Sequence, residues 1–198
     1  AALPLLRRIL RITREYDQHI FSLHNRMGTN VPDILQFGMP PELGVVNPYF
    51  QHLLNRGEPT ELTQAWDWMS VHSLTNDPLL SSYLDFLLRT KRYNAARGTL
   101  AASLRSRGEH RQIEGNLLLN PGFEYKLIGT TLDWVIDASN QFETTRDSEV
   151  SRTGSWSLRI QFSGTENVDY RHLTQRVIVE PGIHRFRAQV RTDGVTTD

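Results

Sequence analysis

Arginine offers this 198-residue chain its most abundant chemistry: 20 arginines stand against two lysines. Strand parity brings several of them together. Between Tyr170 and Val179 the odd positions Leu173, Val177 and Val179 are apolar, with Gln175 among them. Between His184 and Val190 the even positions Phe186, Ala188 and Val190 are apolar. A four-residue loop, Glu180 to Ile183, then predicts a hairpin pairing Val177 with Phe186 and Leu173 with Val190, which keeps both apolar sets on one face. The outward pairs become Arg176 with Arg187, Thr174 with Gln189 and His172 with Arg191. Facing guanidinium groups repel by roughly a few tenths of a kcal/mol, so they call for an anion or neighbouring carboxylates. The chemistry expected is bidentate hydrogen bonding to an acidic sugar or another anion, with Tyr170 as a stacking surface. The alternative is that Glu143, Glu149 or Asp169 neutralises this face and nothing binds.

Reaction chemistry has little support. The seven histidines show no metal spacing, since His19 and His24 are five apart and a His-Glu-x-x-His motif is absent. Gly154-Ser155-Trp156-Ser157 lacks the second glycine of a nucleophile elbow. Asp133 and Asp137 are close in sequence, but such a pair alone does not mark a sugar hydrolase. Without cysteine there is no thiolate nucleophile, thiolate metal site or disulfide. The chain therefore reads as non-catalytic. A balance of 22 basic and 22 acidic residues argues against nucleic acid as a partner of the whole chain. Residues 89–111 hold seven basic residues and one acid, Glu109; they form either an anion-contacting surface or a solvated helix face. No apolar run reaches the roughly 18 residues of a membrane span. The chain opens Ala-Ala without Met, as an excised or processed piece would.

These residues must be positioned by two regions of different period, 1–114 and 115–198. In the first, Leu6, Ile9, Leu10, Tyr16, Ile20, Leu23 and Met27 predict one opening helix, with Arg7, Arg8, Arg11 and Arg14 outside its stripe. Four prolines and two glycines from Val31 to Pro48 predict a surface connector. A short helix over Tyr49–Leu54 closes at Gly57. Thr60 caps the next, with Leu62, Ala65, Trp66, Met69 and Val71 facing inward. Asp77 caps a third, ahead of Pro78, and a fourth carries Ala96, Leu100 and Leu104 before Gly108. After Gly115, short period-two strands predict a β-sandwich: Trp134–Asp137, Phe142–Thr145, Ser157–Phe162, Leu173–Val179 and His184–Val190.

Two stretches have a family look. Tyr83–Ala96 followed by Leu100 resembles a tetratricopeptide repeat, with Tyr93, Ala96, Leu100 and Ser103 at matching positions and Lys91 replacing the turn glycine. Asn47–His72 looks like a degenerate earlier copy. In the second region Asn116–Glu124, Trp134, Gly154–Ile160 and Leu173–Gly182 resemble carbohydrate-binding modules of the family 4/9/22 type, jelly rolls of the galactose-binding-domain-like fold. This resemblance implies that Trp134 and Trp156 are core residues or sugar-stacking platforms. It also implies that Glu124 helps ligate a structural calcium or hydrogen-bonds turn amides. Such modules need about eight strands, so the resemblance implies either that closing strands lie outside the sequence or that something else covers the open edge.

The expectation is an α+β chain: tetratricopeptide-like helical hairpins, then a partial β-sandwich jelly roll. The sugar-binding set is Tyr170, His172, Arg176, Arg187, Gln189 and Arg191, with Trp134 and Trp156. The function expected is a non-catalytic, extracytoplasmic bacterial protein that binds polysaccharide, with protein contacts through the helices. The alternative is a structural adaptor for protein assembly.

Overall fold

A computed structural model describes residues 2–13, 15–109, 116–164 and 168–194. It is mixed helix and sheet, with seven α-helices and two small antiparallel sheets among the described residues. Two compact units divide between Ala96 and Arg97, earlier than the expected boundary at 114/115, which lies outside the described residues. The last helix, α7 (Tyr93–Ser106), is divided by this boundary.

The first unit holds α1 (Ala2–Ile12), α2 (Asp17–Arg26), α3 (Val31–Asp33), a π-helical turn (Ile34–Gly38), α4 (Leu43–Arg56), α5 (Pro59–Val71), α6 (Asp77–Arg89) and the start of α7 (Tyr93–Ser106). The single opening helix is not formed. The Thr13 amide still bonds to the Ile9 carbonyl, but the Thr13 hydroxyl accepts from the Glu15 amide and the helix ends. Burial then passes from Leu6 and Leu10 to Phe21 and His24, leaving Tyr16, Leu23 and Met27 exposed. Arg14 lies outside the described residues.

Nor is Val31–Pro48 a surface connector. Asn30 caps α3 by accepting from the Asp33 amide at 2.9 Å, and Pro32 occupies the first turn, where no N–H is needed. Val31, Ile34, Leu35 and Met39 are buried, and Pro48 lies inside α4. Pro32 thus starts a helix, and α4 runs on through Pro48.

The remaining stripe falls where the helical period places it. Leu62, Ala65, Trp66 and Met69 of α5 are buried, while Val71 is exposed. Glu58, not Thr60, stands at the N-cap of α5, with Pro59 opening the helix. Asn76, not Asp77, caps α6, because its side-chain oxygen is the one that reaches the Leu79 amide, at 3.0 Å. Trp66 stacks on Tyr83 at 4.8 Å, and Phe50 meets both rings at 5.8–5.9 Å. This aromatic trio ties α4, α5 and α6 into one core. Of the repeat-like positions, Ala96 and Leu100 are buried and Tyr93 is exposed. Lys91, in place of the turn glycine, has φ +59°.

The second unit contains β1 (Val135–Ile136), β2 (Phe142–Asp147), β3 (Ser157–Phe162) and β4 (Leu173–Thr174). β1 pairs with β4, and β2 pairs with β3 along all six positions, from Phe142↔Phe162 to Asp147↔Ser157. Among the described residues these are two separate two-stranded sheets, and no β-sandwich is formed. Gln175 extends the β4 side by clamping Leu119, accepting from its amide at 3.2 Å and donating to its carbonyl at 2.9 Å. Asp133 is buried and accepts from the Ile128 and Trp134 amides at 3.1 and 2.9 Å, so it holds a turn.

The expected hairpin of Leu173–Val179 and His184–Val190 is not formed. Strand ends at Thr174, and residues 175–193 carry no strand. Strand-forming side chains need a partner backbone, and the β-propensity of this segment finds none here.

Candidate functional site

Three groupings in the second unit take up the residues singled out from the sequence. The first is built on Glu124. Its carboxylate accepts from the Ser155 amide at 3.1 Å and from the Trp156 amide at 3.2 Å. Gly154, at φ +73°, leaves room for it: a Cβ there would lie 2.1 Å from Glu124 Oε1. Arg146 donates to the carbonyls of Phe123 and Glu124 at 2.8 and 2.9 Å. Its guanidinium also lies 4.0 Å from the centre of the Trp156 ring. Trp134 donates through Nε1 to the Asn120 carbonyl at 3.0 Å and packs on Phe123 at 5.1 Å. Both tryptophans are half-buried and committed to this scaffold.

Calcium does not fit these residues. It needs six to eight oxygen ligands, yet Glu124 is engaged by amides, and the nearby Phe123 and Glu124 carbonyls face a guanidinium. Among the described residues no three acidic, histidine or cysteine side chains gather around one point. Glu124 thus plays the amide-binding role, and a cationic side chain occupies the carbonyl side.

The second grouping is aromatic. Phe142 meets Tyr170 at 4.9 Å and His172 at 4.6 Å, and Phe162 meets Tyr170 at 5.9 Å. Tyr170 and His172 are half-buried and pack together against the β2–β3 ribbon. The hairpin whose register would set them beside Arg176, Arg187 and Gln189 is not formed.

The third grouping is a cleft of about 440 Å³ whose lining residues all belong to the second unit. Leu100, Leu104, Leu119 and Leu132 form a nearly buried aliphatic floor. Arg97, Arg105 and Arg176 stand around it, all exposed, together with Glu109. Arg97 and Arg105 are two helical turns apart on α7, about 12 Å along the axis. Arg176 is fixed from the other side by its backbone amide, which donates to the Thr131 carbonyl at 2.7 Å. None of these three guanidinium groups has an ion-pair or hydrogen-bond partner among the described residues.

Of the expected sugar-binding set, only Arg176 reaches this cleft. Arg187, Gln189 and Arg191 lie on the exposed segment that follows, where Gln189 accepts from Arg152. Arg97 and Arg105 were part of a basic run with two readings. The signal that singles them out is spacing: Arg97, Ala101 and Arg105 recur every four residues, on the face flanked by Leu100 and Leu104.

Among the described lining residues the cleft sets three arginines and one carboxylate around an apolar floor. The segment after it is strongly apolar on its surface: Ile183 is 104%, Phe186 72% and Val190 82% exposed.

In the first unit a cavity of about 600 Å³ is lined by Arg7, Leu35, Met39, Asp67, Trp68 and His72, among others. There the His72 imidazole stacks on the Trp68 indole at 4.1 Å. Burial holds the imidazoles of His24 and His52 below the ordinary histidine pKa, with Arg56 adding to the effect on His52.

Among the described residues no helix is long and apolar enough to cross a membrane. No protein-family model, curated protein or solved structure matches the chain.

Proposed function

We propose that this chain is a non-catalytic binding protein that holds an acidic polysaccharide at the arginine cleft of its second unit. In this reading the second unit is a jelly-roll-like relative of carbohydrate-binding modules. The tetratricopeptide-like helices of the first unit offer contacts to a protein partner, and the setting is the cell envelope.

One observation carries the reading: Arg97, Arg105 and Arg176 converge on a single cleft without ion-pair partners among the described residues. The chain has equal numbers of acidic and basic residues, so this is a local concentration of positive charge rather than a basic protein. Each guanidinium offers a planar fork matched to a carboxylate or sulfate. Helical spacing along α7 suits repeated anionic groups on one strand. The test is a glycan array read with the wild type and with Arg97→Ala/Arg105→Ala/Arg176→Ala. Acidic glycans bind the wild type in a salt-dependent way and lose the variant, while neutral glycans bind neither. Equal binding by the two proteins would overturn the reading.

The adaptor reading has its own support in the exposed Val179, Ile183, Phe186 and Val190. An unpaired, strand-forming apolar segment is a template for strand addition by another chain. Ile183→Ser/Phe186→Ser then abolishes self-association or partner capture while leaving acidic-glycan binding intact. Unchanged association would remove this second reading.

A further inference from the structure

We propose that the arginine cleft takes an acidic sugar that carries a hydrocarbon chain, the guanidinium groups holding the anion and the leucine floor holding the chain. This rests on the acidic-glycan reading of the same cleft and narrows its ligand class.

The lining chemistry is divided in two. Among the described lining residues the charged side chains are the three arginines and Glu109, and the rest are aliphatic or glycine. A sugar ring presents hydroxyl groups, which guanidinium, amide, hydroxyl or carboxylate groups can bond, and an apolar CH face, which suits an aromatic ring. Among the described lining residues there is no aromatic ring, amide side chain or hydroxyl side chain. A saccharide alone would satisfy the rim and leave the floor unused. A hydrocarbon chain would cover it, with each methylene removed from water worth about fourfold in affinity. The volume of about 440 Å³ is that of a small-ligand site. Space also remains at Gly98 on the cleft wall, where an added Cβ would meet nothing within 4 Å.

That glycine supplies a variant that closes the cleft without unfolding the protein. Gly98 lies inside α7 without a positive φ, so Gly98→Leu raises helix propensity while filling the space above the floor.

Calorimetry on the full chain compares octyl glucuronide, methyl glucuronide, a glucuronate tetrasaccharide and octyl glucoside. The expected result is that octyl glucuronide binds at least tenfold more tightly than methyl glucuronide and than octyl glucoside. Gly98→Leu, with a melting temperature no lower than wild type, brings the octyl and methyl glucuronides to within twofold of each other. Arg105→Ala/Arg176→Ala weakens both. If the tetrasaccharide binds but the octyl chain adds less than twofold, the inference fails and the acidic-glycan reading stands. If neither glucuronide nor tetrasaccharide binds, both fail. Octyl glucoside binding as tightly as octyl glucuronide would mean adsorption to exposed apolar surface, and would also overturn the inference.

Discussion

Gly154→Ala tests the Glu124 latch through a coupling that a merely local strain would not show. The glycine sits at φ +73°, and an alanine Cβ would stand 2.1 Å from Glu124 Oε1. The carboxylate is the far end of a flexible side chain and will swing away, so the cost lies in what it leaves behind. Moving an alanine into the left-handed region costs about 1 kcal/mol. Losing a charged acceptor from the Ser155 and Trp156 amides costs roughly 1.5–3 kcal/mol more. The single substitution should therefore destabilise the second unit by about 3 kcal/mol. In a Glu124→Ala background the acceptor is already gone, and Gly154→Ala should cost only about 1 kcal/mol. The difference, about 2 kcal/mol, is the coupling energy of a double-mutant cycle. Urea denaturation with amide hydrogen exchange at residues 154–156 reads both quantities. Equal costs in the two backgrounds would refute the latch.

Other outcomes follow from the same geometry. Lys91→Gly removes a side chain from φ +59° at the end of α6 and should raise stability by about 1 kcal/mol in thermal melts. Because burial holds His24 and His52 below 6.5, the unfolded chain takes up protons first as the pH drops. Their contribution is therefore complete above about pH 6.5 and is lost progressively below it; melting temperatures from pH 7.5 to 5 should fall, and His24→Gln/His52→Gln should flatten the slope. Millimolar calcium or a chelator should leave the melting temperature unchanged, whereas Arg146→Ala should destabilise the second unit by roughly 2–4 kcal/mol through its two carbonyl bonds and the Trp156 face.

Legibility in the sequence followed the range of the forces involved. The α5 stripe of Leu62, Ala65, Trp66 and Met69 was readable because helical period alone decides which face is buried. The break at Thr13 was not, since it turns on one hydroxyl accepting from the Glu15 amide. Prolines at 32 and 48 misled because a proline marks either the end of one helix or the first turns of the next, and the deciding cap, Asn30, acts over three residues. In the β region, parity could assign faces to Val177 and Phe186 but could not supply the neighbouring backbone that a strand needs. Arg176 could be flagged from its type. Its companions Arg97 and Arg105 belong to a helix far away in sequence, and only the fold of the second unit brings them to one cleft.

The most direct measurement of the central claim is salt-dependent binding of a glucuronate oligosaccharide by the wild type and by Arg97→Ala/Arg105→Ala/Arg176→Ala, both first shown to melt alike. Binding by the wild type should weaken as salt rises and fall at least tenfold in the triple variant. Binding that persists in the variant, or none by either protein, would contradict it.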